Sequence, residues 1–509
     1  MKNKYKKRID QANVYEAAER TPLEKQLNLS ERFQNNILLK REDLQPVFSF
    51  KVRGAYNKMV NLSKEDLKKG VITSSAGNHA QGVALAAKKL GCRAVIVMPS
   101  TTPLIKINAV QSRGSEVVLH GESLYEAYNY ALEIQKKESL IFIHPFDDPD
   151  VIAGQGTIAK EILEDYPKPI HAIFCCVGGG GLISGIASYI KAVRPDIKII
   201  GVEAQGADAM TLSLKAKKRI LLENVSLFAE GAALREVGEE TFKLCQEYVD
   251  EMIVVDNDEI CAAIKDVFED TRTILEPAGA LAVAGIKSYI KKNNIKSKTL
   301  IGTASGANMN FDRLGFVVER AEIGEEREAV FAVTIPEKPG AFKSFCGLIG
   351  SRNITEFNYR FSSHSSAHIF VGISVQDFQE SKALIKTLNE AGLDAIDLTH
   401  NEVAKLHLRH LVGGHAPEAE NEVIYRFEFP EKPGALLNFL ERMGQNWNIS
   451  LFHYRNHGSD IGRILVGMQV PPGDEKEFEK FLSQLDYPSW NETKNPAYKL
   501  FLGRTHKNH

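Results

Sequence analysis

HAIFCCVGGGGLISGIASYIKAV, residues 171–193, is the stretch on which the fold turns. An apolar run ends directly in four glycines, and a helical pattern starts at once. A strand with no polar alternation is buried on both faces, as in a parallel sheet flanked by helices. Glycines between a strand and a helix N-terminus suit an anion: no Cβ holds the ligand away, the amides point at it, and the helix dipole favours its charge. The nucleotide signatures fail here. No register of GGGGLISG supplies GxGxxG, and no lysine completes a P-loop. The anion expected is a phosphate belonging to neither NAD nor ATP.

The same grammar extends to both sides. VITSS (71–75), AVIVMP (94–99), EVVLH (116–120), LIFIHP (140–145), IKIIGVEA (197–204) and KTLIGTASG (298–306) read as strands, with HAQGVALAAKKLG (79–91), SLYEAYNYALEIQKK (123–137) and DEICAAIKDVFEDTRTIL (258–275) as helices between them. This alternation predicts an α/β domain with a mostly parallel sheet, whose ligands gather at the carboxyl ends of strands. A chain of 509 residues, 43% hydrophobic, can bury more than one core. Its 63 Lys and Arg nearly balance 65 Asp and Glu, leaving no large field for nucleic acid or an anionic membrane, so a small molecule is the expected partner. The basic start MKNKYKKRID lacks a signal peptide's apolar core and no run reaches membrane-spanning length, which predicts a cytoplasmic protein. Six cysteines form no CxxC pair and no cluster with histidine, and read as small buried hydrophobes.

Beyond residue 322 the pattern changes. TIPEKPGAFKSFCGLIGSRNITEFNYRF (334–361) returns as EFPEKPGALLNFLERMGQNWNISLFHYRN (428–456), 94 residues on at PEKPG and 95 on at the tyrosine. IFVGISV (369–375) returns as ILVGMQV (464–470). This is a duplicated module, each copy reading strand, helix, strand, strand, helix, with a further short strand, in a ferredoxin-like α+β order. The expected domains are 1–322, 328–401 and 421–505. The charge-dense ERAEIGEERE (319–328) closes the first, and HLVGGHAPEAE (410–420) links the two copies.

Two more polar loops follow strands in the first domain. SSAGNHAQG (74–82) presents amides at a helix start, suited to a carboxylate, and TASGAN (303–308) ends a strand in small polar residues. FSFKVRG (48–54) adds a lysine between Phe50 and Val52; an apolar setting lowers an amine's pKa and makes it a usable nucleophile and base. A phosphate without a nucleotide, together with such a lysine, points to pyridoxal phosphate. SFKVRG (49–54), SAGNHAQG (75–82), GGGGL (178–182), EPAGA (276–280) and SGAN (305–308), in that order, resemble the fold-type II pyridoxal-phosphate enzymes over roughly residues 5 to 320. With the duplicated module, which resembles paired ACT-like amino-acid-sensing domains, the chain is similar to the biosynthetic threonine deaminase (threonine ammonia-lyase) family.

The resemblance implies a tryptophan synthase β-like catalytic domain, deamination of L-threonine to 2-oxobutanoate, isoleucine and valine as opposing effectors, and a homotetramer. It makes Lys51 the cofactor-bearing lysine and base, beside Phe50. It gives the cofactor phosphate to the amides of Gly178, Gly179, Gly180, Gly181 and Leu182, the ring hydroxyl to Asn78, and the ring nitrogen to Ser305. Backbone and side chains of Ser75, Gly77 and His79 would hold the substrate carboxylate. Serine racemases of this group carry a serine where this chain has Ala76, which disfavours racemisation. Gly340 and Gly434, where the PEKPGA loops (336–341 and 430–435) enter helices, with Tyr359 and Tyr454 on the strands that follow, would form the effector sites. Acidic residues around Glu203 and Glu230 suit a cation, but no metal is assigned. A catabolic serine or threonine dehydratase, and an amino-acid sensor with an inactive lyase domain, are the other readings. The sensing modules weigh against the first; intact Lys51, Asn78 and Ser305 weigh against the second.

Overall fold

The computed structural model describes residues 2–311, 313–361, 365–406, 408–411, 413–430, 435–443, 447–455, 461–485 and 487–502. The chain divides into two compact units, Met1–Gly324 and Glu325–His509.

The first unit holds two sheets. In the larger, the strands run Leu23–Lys25, Asn36–Arg41, Thr299–Ala304, Ala172–Cys176, Lys198–Ala204 and Glu251–Val255, all parallel except the first pair. The smaller, Glu116–Leu119, Ala94–Met98, Val71–Ser74 and Ile141–Phe142, is wholly parallel. Ala172–Cys176 is buried along its whole length and sits mid-sheet, as its unbroken apolar run requires. Helix ends follow local chemistry. Ser123 and Glu126 form a capping box that starts Leu124–Glu138, Asp256 and Glu259 do the same for Asn257–Thr271, and Gly91, at φ 64°, stops Asn78–Leu90.

Two expected elements are shorter than their sequence suggests. LIFIHP keeps only Ile141–Phe142 as strand, because His144 Nδ1 accepts the amides of Phe146 and Asp147 and turns the chain. The helix expected over 258–275 stops at Thr271, where Arg272 takes a left-handed φ of 59°. The strands Leu23–Lys25, Asn36–Arg41 and Glu251–Val255 lie outside the sequence expectation.

In the second unit each copy folds as its repeat implies: strand Glu328–Pro336, helix Ala341–Ile349, strands Ile354–Arg360 and Ser366–Ser374, helix Phe378–Glu390 and short strand Asp394–Asp397, then the same order from Glu422–Pro430 to Ser489–Asn491. Ile354–Arg360 pairs antiparallel with Asn448–Arg455, so the copies join edge to edge in one eight-stranded sheet. Each module thereby covers an edge that would otherwise be open. Arg409, beyond the first copy, is buried against Glu328 and Glu356.

Candidate active site

Lys51 is the first residue of the helix Lys51–Val60. The turn before it is tied to the loop after strand Thr299–Ala304: the Phe50 amide donates to the Ser305 carbonyl at 3.2 Å, and the Ala307 amide to the Phe48 carbonyl at 2.9 Å. Phe48 accepts a φ of 55°, an outlier for a bulky side chain, to make this junction. The two loops cannot move apart independently, and Lys51 is thereby held beside Ser305. Its Nζ donates to the Pro145 carbonyl at 3.1 Å and lies 5.3 Å from the centre of the buried Phe50 ring. Loss of solvent pulls the amine down to about 8, against the weaker opposing influence of Cys176 and Glu276.

The glycine loop follows strand Ala172–Cys176 and leads into the helix Gly181–Val193. Gly180 sits at φ 93°, and a Cβ on Gly179 would lie 2.3 Å from the Phe146 ring, so no other residue fits either position. Amides of the first helical turn have no carbonyl behind them in the helix and are available to an anion. Thr241 fixes the loop from below, its Oγ1 donating to the Gly179 carbonyl at 2.6 Å. Leu182 is buried behind it.

Asn78, first in the helix Asn78–Leu90, is held at both ends: its Nδ2 donates to Glu276 Oε1, and its Oδ1 accepts from Asn308 Nδ2 at 2.6 Å. Ser305 Oγ accepts the Cys176 thiol at 3.2 Å and donates to the Ala278 carbonyl at 3.3 Å. Burial pushes the Cys176 thiol up to about 11, so it remains a donor near neutrality. Ser75, Ala76 and Gly77 are partly open to solvent, and a Cβ on Gly77 would meet nothing within 4 Å, as befits a place where substrate arrives.

His79 departs from expectation. Its Nε2 lies 2.9 Å from the Ile143 carbonyl, which can only accept. Nε2 must therefore carry the proton, leaving Nδ1 a bare acceptor. Burial, with Lys51 nearby, pulls the imidazole down to about 3. A neutral ring with no free N–H cannot grip a carboxylate, so any such contact at this position comes from backbone.

Glu203 and Glu230 have other work. Glu203 accepts the amides of Met210 and Thr211 and the Thr211 hydroxyl, capping the helix Ala209–Ala216. Glu230 pairs with Lys106 at 2.6 Å and Arg313 at 2.5 Å. Among the described residues no three His, Cys, Asp or Glu side chains gather as a metal site.

Residues 14–306 match the family of pyridoxal-phosphate dependent enzymes, and 319–408 and 413–502 each match the C-terminal regulatory domain of threonine dehydratase. Over 98% of its length the chain is 58% identical to the biosynthetic L-threonine dehydratase of Burkholderia multivorans, 99% of which is covered. It is 50% identical to the corresponding enzyme of Escherichia coli strain K12 over 98% of this chain and 97% of that one. The chain belongs to the threonine dehydratase family. Among solved structures, the processed form of threonine deaminase isoform 2 from Solanum lycopersicum is 53% identical with a TM-score of 0.62, covering 63% of this chain and 88% of its own. Maize serine racemase is 33% identical with a TM-score of 0.58, covering 61% and 97%.

Membership makes this threonine dehydratase homologue a pyridoxal-phosphate enzyme, and the residues present fit that cofactor. The Lys51 amine meets a carbonyl rather than a carboxylate, the glycine loop offers amides, and Ser305 and Asn78 stand on the neighbouring loops. Ser49 Oγ, Ser74 Oγ and His79 Nδ1, buried in these same loops, have no partner among the described residues, as expected where a polar ligand completes the site.

Proposed function

We propose that this chain converts L-threonine to 2-oxobutanoate and ammonia, the first step of isoleucine biosynthesis, and that its C-terminal modules sense isoleucine and valine. The observation that carries the reading is the desolvated amine of Lys51, whose neighbour Phe50 is tied by its amide to the Ser305 carbonyl within the family's cofactor fold. Pyridoxal phosphate, when bound, supplies an electron sink for the pair left behind as the α-proton departs. The amides of Gly178, Gly179, Gly180, Gly181 and Leu182 hold its phosphate, Phe50 and Lys51 line its wall, Asn78 donates to its ring oxygen, and Ser305 faces its ring nitrogen. Ser75, Gly77 and the backbone of His79 orient the substrate carboxylate. Lys51, poised near neutrality, takes the α-proton, and the ammonium so formed can return a proton to the β-hydroxyl, which leaves as water; hydrolysis of the released enamine yields 2-oxobutanoate and ammonia. Purified protein should show a visible cofactor band that changes on adding threonine, with 2-oxobutanoate accumulating. Absence of both sinks the reading.

Only an unprotonated amine can attack the cofactor's carbonyl. Because Lys51 is pulled down to about 8, uptake of pyridoxal phosphate by the cofactor-free protein should quicken as pH rises, with its midpoint near 8. Stopped-flow absorbance measures this. A midpoint near 10.5, the ordinary lysine value, would mean that Lys51 is solvated.

In the regulatory unit, Gly340 takes φ 85° at the head of helix Ala341–Ile349, suiting its amides to an amino acid's carboxylate. Tyr359 is buried with its ring edge-on to Phe342 at 4.8 Å, and its hydroxyl donates to Glu337 Oε2 at 2.5 Å. It therefore steadies the 336–340 loop rather than offering an open face to a branched side chain. Glu337 also accepts from Asn448 of the second copy at 2.8 Å, so an effector that moves the loop reaches both copies. Tyr454 is likewise buried; Gly434 lies outside the described residues. A chain ending at Gly324 should keep threonine turnover and lose isoleucine inhibition, and Tyr359→Ala in the full chain should raise the inhibitory isoleucine concentration about tenfold or more. Threonine saturation curves with and without isoleucine decide it: inhibition of the short chain would place the effector site elsewhere. A homotetramer in the cytoplasm completes the reading, with sedimentation velocity as its check on assembly. Among the described residues no helix is long and apolar enough to cross a membrane.

A further inference from the structure

We infer that Glu276 is a positioning residue, which together with Asn308 fixes the orientation of the Asn78 amide so that an N–H, not an oxygen, meets the cofactor's ring oxygen. The inference rests on the functional reading above, in which Asn78 faces that oxygen. A side-chain amide has two ends of nearly equal shape, and only its hydrogen-bond partners choose between them. The choice here starts from a group with no ambiguity, the Val47 carbonyl, which accepts from Asn308 Nδ2 at 2.8 Å. The second proton on that nitrogen goes to Asn78 at 2.6 Å, so the Asn78 atom facing it must be Oδ1. Asn78 Nδ2 then faces Glu276 Oε1 and gives it one proton, leaving one N–H to offer.

Glu276 forgoes another role to do this. It stands at the N-cap of helix Pro277–Asn293 with extended backbone, φ −69° and ψ 158°, yet its side chain caps nothing there. It turns instead into the site, where it is buried, and its Oε1 lies where even a Cβ on Gly306 would come within 2.5 Å. The Glu276 amide also donates to the Gly306 carbonyl, next to Ser305. One residue thus laces together the loops that carry Asn78 and Ser305. Burial pushes the carboxyl up to about 7, with the Asn78 hydrogen bond, then Lys106 and Lys51, opposing and Glu230 reinforcing the rise. Both protonation states keep an oxygen able to accept from Asn78, which makes glutamine a faithful substitute.

The test titrates full-length, cofactor-free protein with pyridoxal phosphate, reading affinity and the bound cofactor's absorption spectrum, whose bands report the proton on its ring oxygen. Glu276→Leu should weaken binding about tenfold or more and redistribute the bands, since a buried donor loses its partner. Glu276→Gln should stay within about threefold of the parent, with the parental spectrum. On an Asn78→Ala background, Glu276→Leu should add no further loss. Asn308→Leu should redistribute the bands in the same direction, and serves as the second probe should Glu276→Leu fail to fold by circular dichroism. Parental affinity and spectrum in the folded leucine variants, or an undiminished penalty on the Asn78→Ala background, would overturn the inference. A parent chain that takes up no cofactor would instead overturn the functional reading.

Discussion

Lys51→Ala is expected to abolish 2-oxobutanoate production, by roughly 10³-fold or more, the scale lost when a group acting directly on the reacting atoms is deleted. The fold should survive. Among the described residues Lys51 makes no ion pair: its amine donates to the carbonyl of Pro145, and its desolvation weakens the charge it would carry. Removing it breaks no ion pair, and the nearby Glu276 keeps its hydrogen bond from Asn78, so the unfolding free energy should move by no more than about 1 kcal/mol. Circular dichroism and denaturant unfolding of the cofactor-free variant, beside a threonine assay, separate loss of chemistry from loss of fold. Pyridoxal phosphate is offered in excess to both proteins, because the glycine loop is unchanged. Turnover surviving at even a tenth of the parental rate would remove Lys51 from the reaction.

What the sequence makes legible is what is local. GGGGL follows its strand directly, and a strand, a glycine run and a helix start define an anion cradle within a dozen residues. The apolar neighbours of Lys51 announce its desolvation, while its role rests on the family resemblance. The repeat is legible because each copy carries its own strand order. Joining the copies through Ile354–Arg360 and Asn448–Arg455 is not, since either edge of either sheet could have paired. The remainder of the site depends on partners far apart in sequence. Asn78 meets Glu276 across 198 residues and Asn308 across 230, and no spacing in the chain announces either pair. His79 shows the converse hazard: position in a motif says which loop a side chain belongs to, and only the Ile143 carbonyl decides which way its ring turns. Glu203 is the same lesson in a carboxylate: its place in the sequence would suit a cation without assigning one, and its contacts make it a helix cap.

FSFKVRG contains a second cation, and Arg53→Met is expected to destabilise the cofactor-free protein by about 3–5 kcal/mol, the cost of leaving a buried ion cluster without one partner. Arg53 is fully buried, and it spends its donors on Glu42 Oε1 and Oε2 at 2.8 Å each, Glu161 Oε1 and Oε2 at 2.5 and 3.1 Å, Thr157 Oγ1 and the Glu19 carbonyl. Lys40, also buried, reaches Glu161 at 2.7 Å. Two buried carboxylates thus face two buried cations. Methionine fills the space and leaves two negative charges against one. Burial alone would raise the Glu161 carboxyl; Arg53 and Lys40 more than reverse this and hold it below the ordinary range. A depressed carboxyl contributes stability above its unfolded pKa and loses it as pH falls through the folded value. In Arg53→Met that depression is largely gone, and a buried carboxylate can relieve itself by taking a proton. The gap between variant and parent should accordingly be widest near pH 7 and narrow towards pH 4–5, the ordinary glutamate range being about 4.3. Arg53→Lys should recover part of the loss, because an ammonium keeps the charge without the planar fork that spans both carboxylates. Urea unfolding midpoints for the three proteins at several pH values measure all of this, and a gap that stayed constant or widened in acid would show that Arg53 stabilises through packing rather than charge.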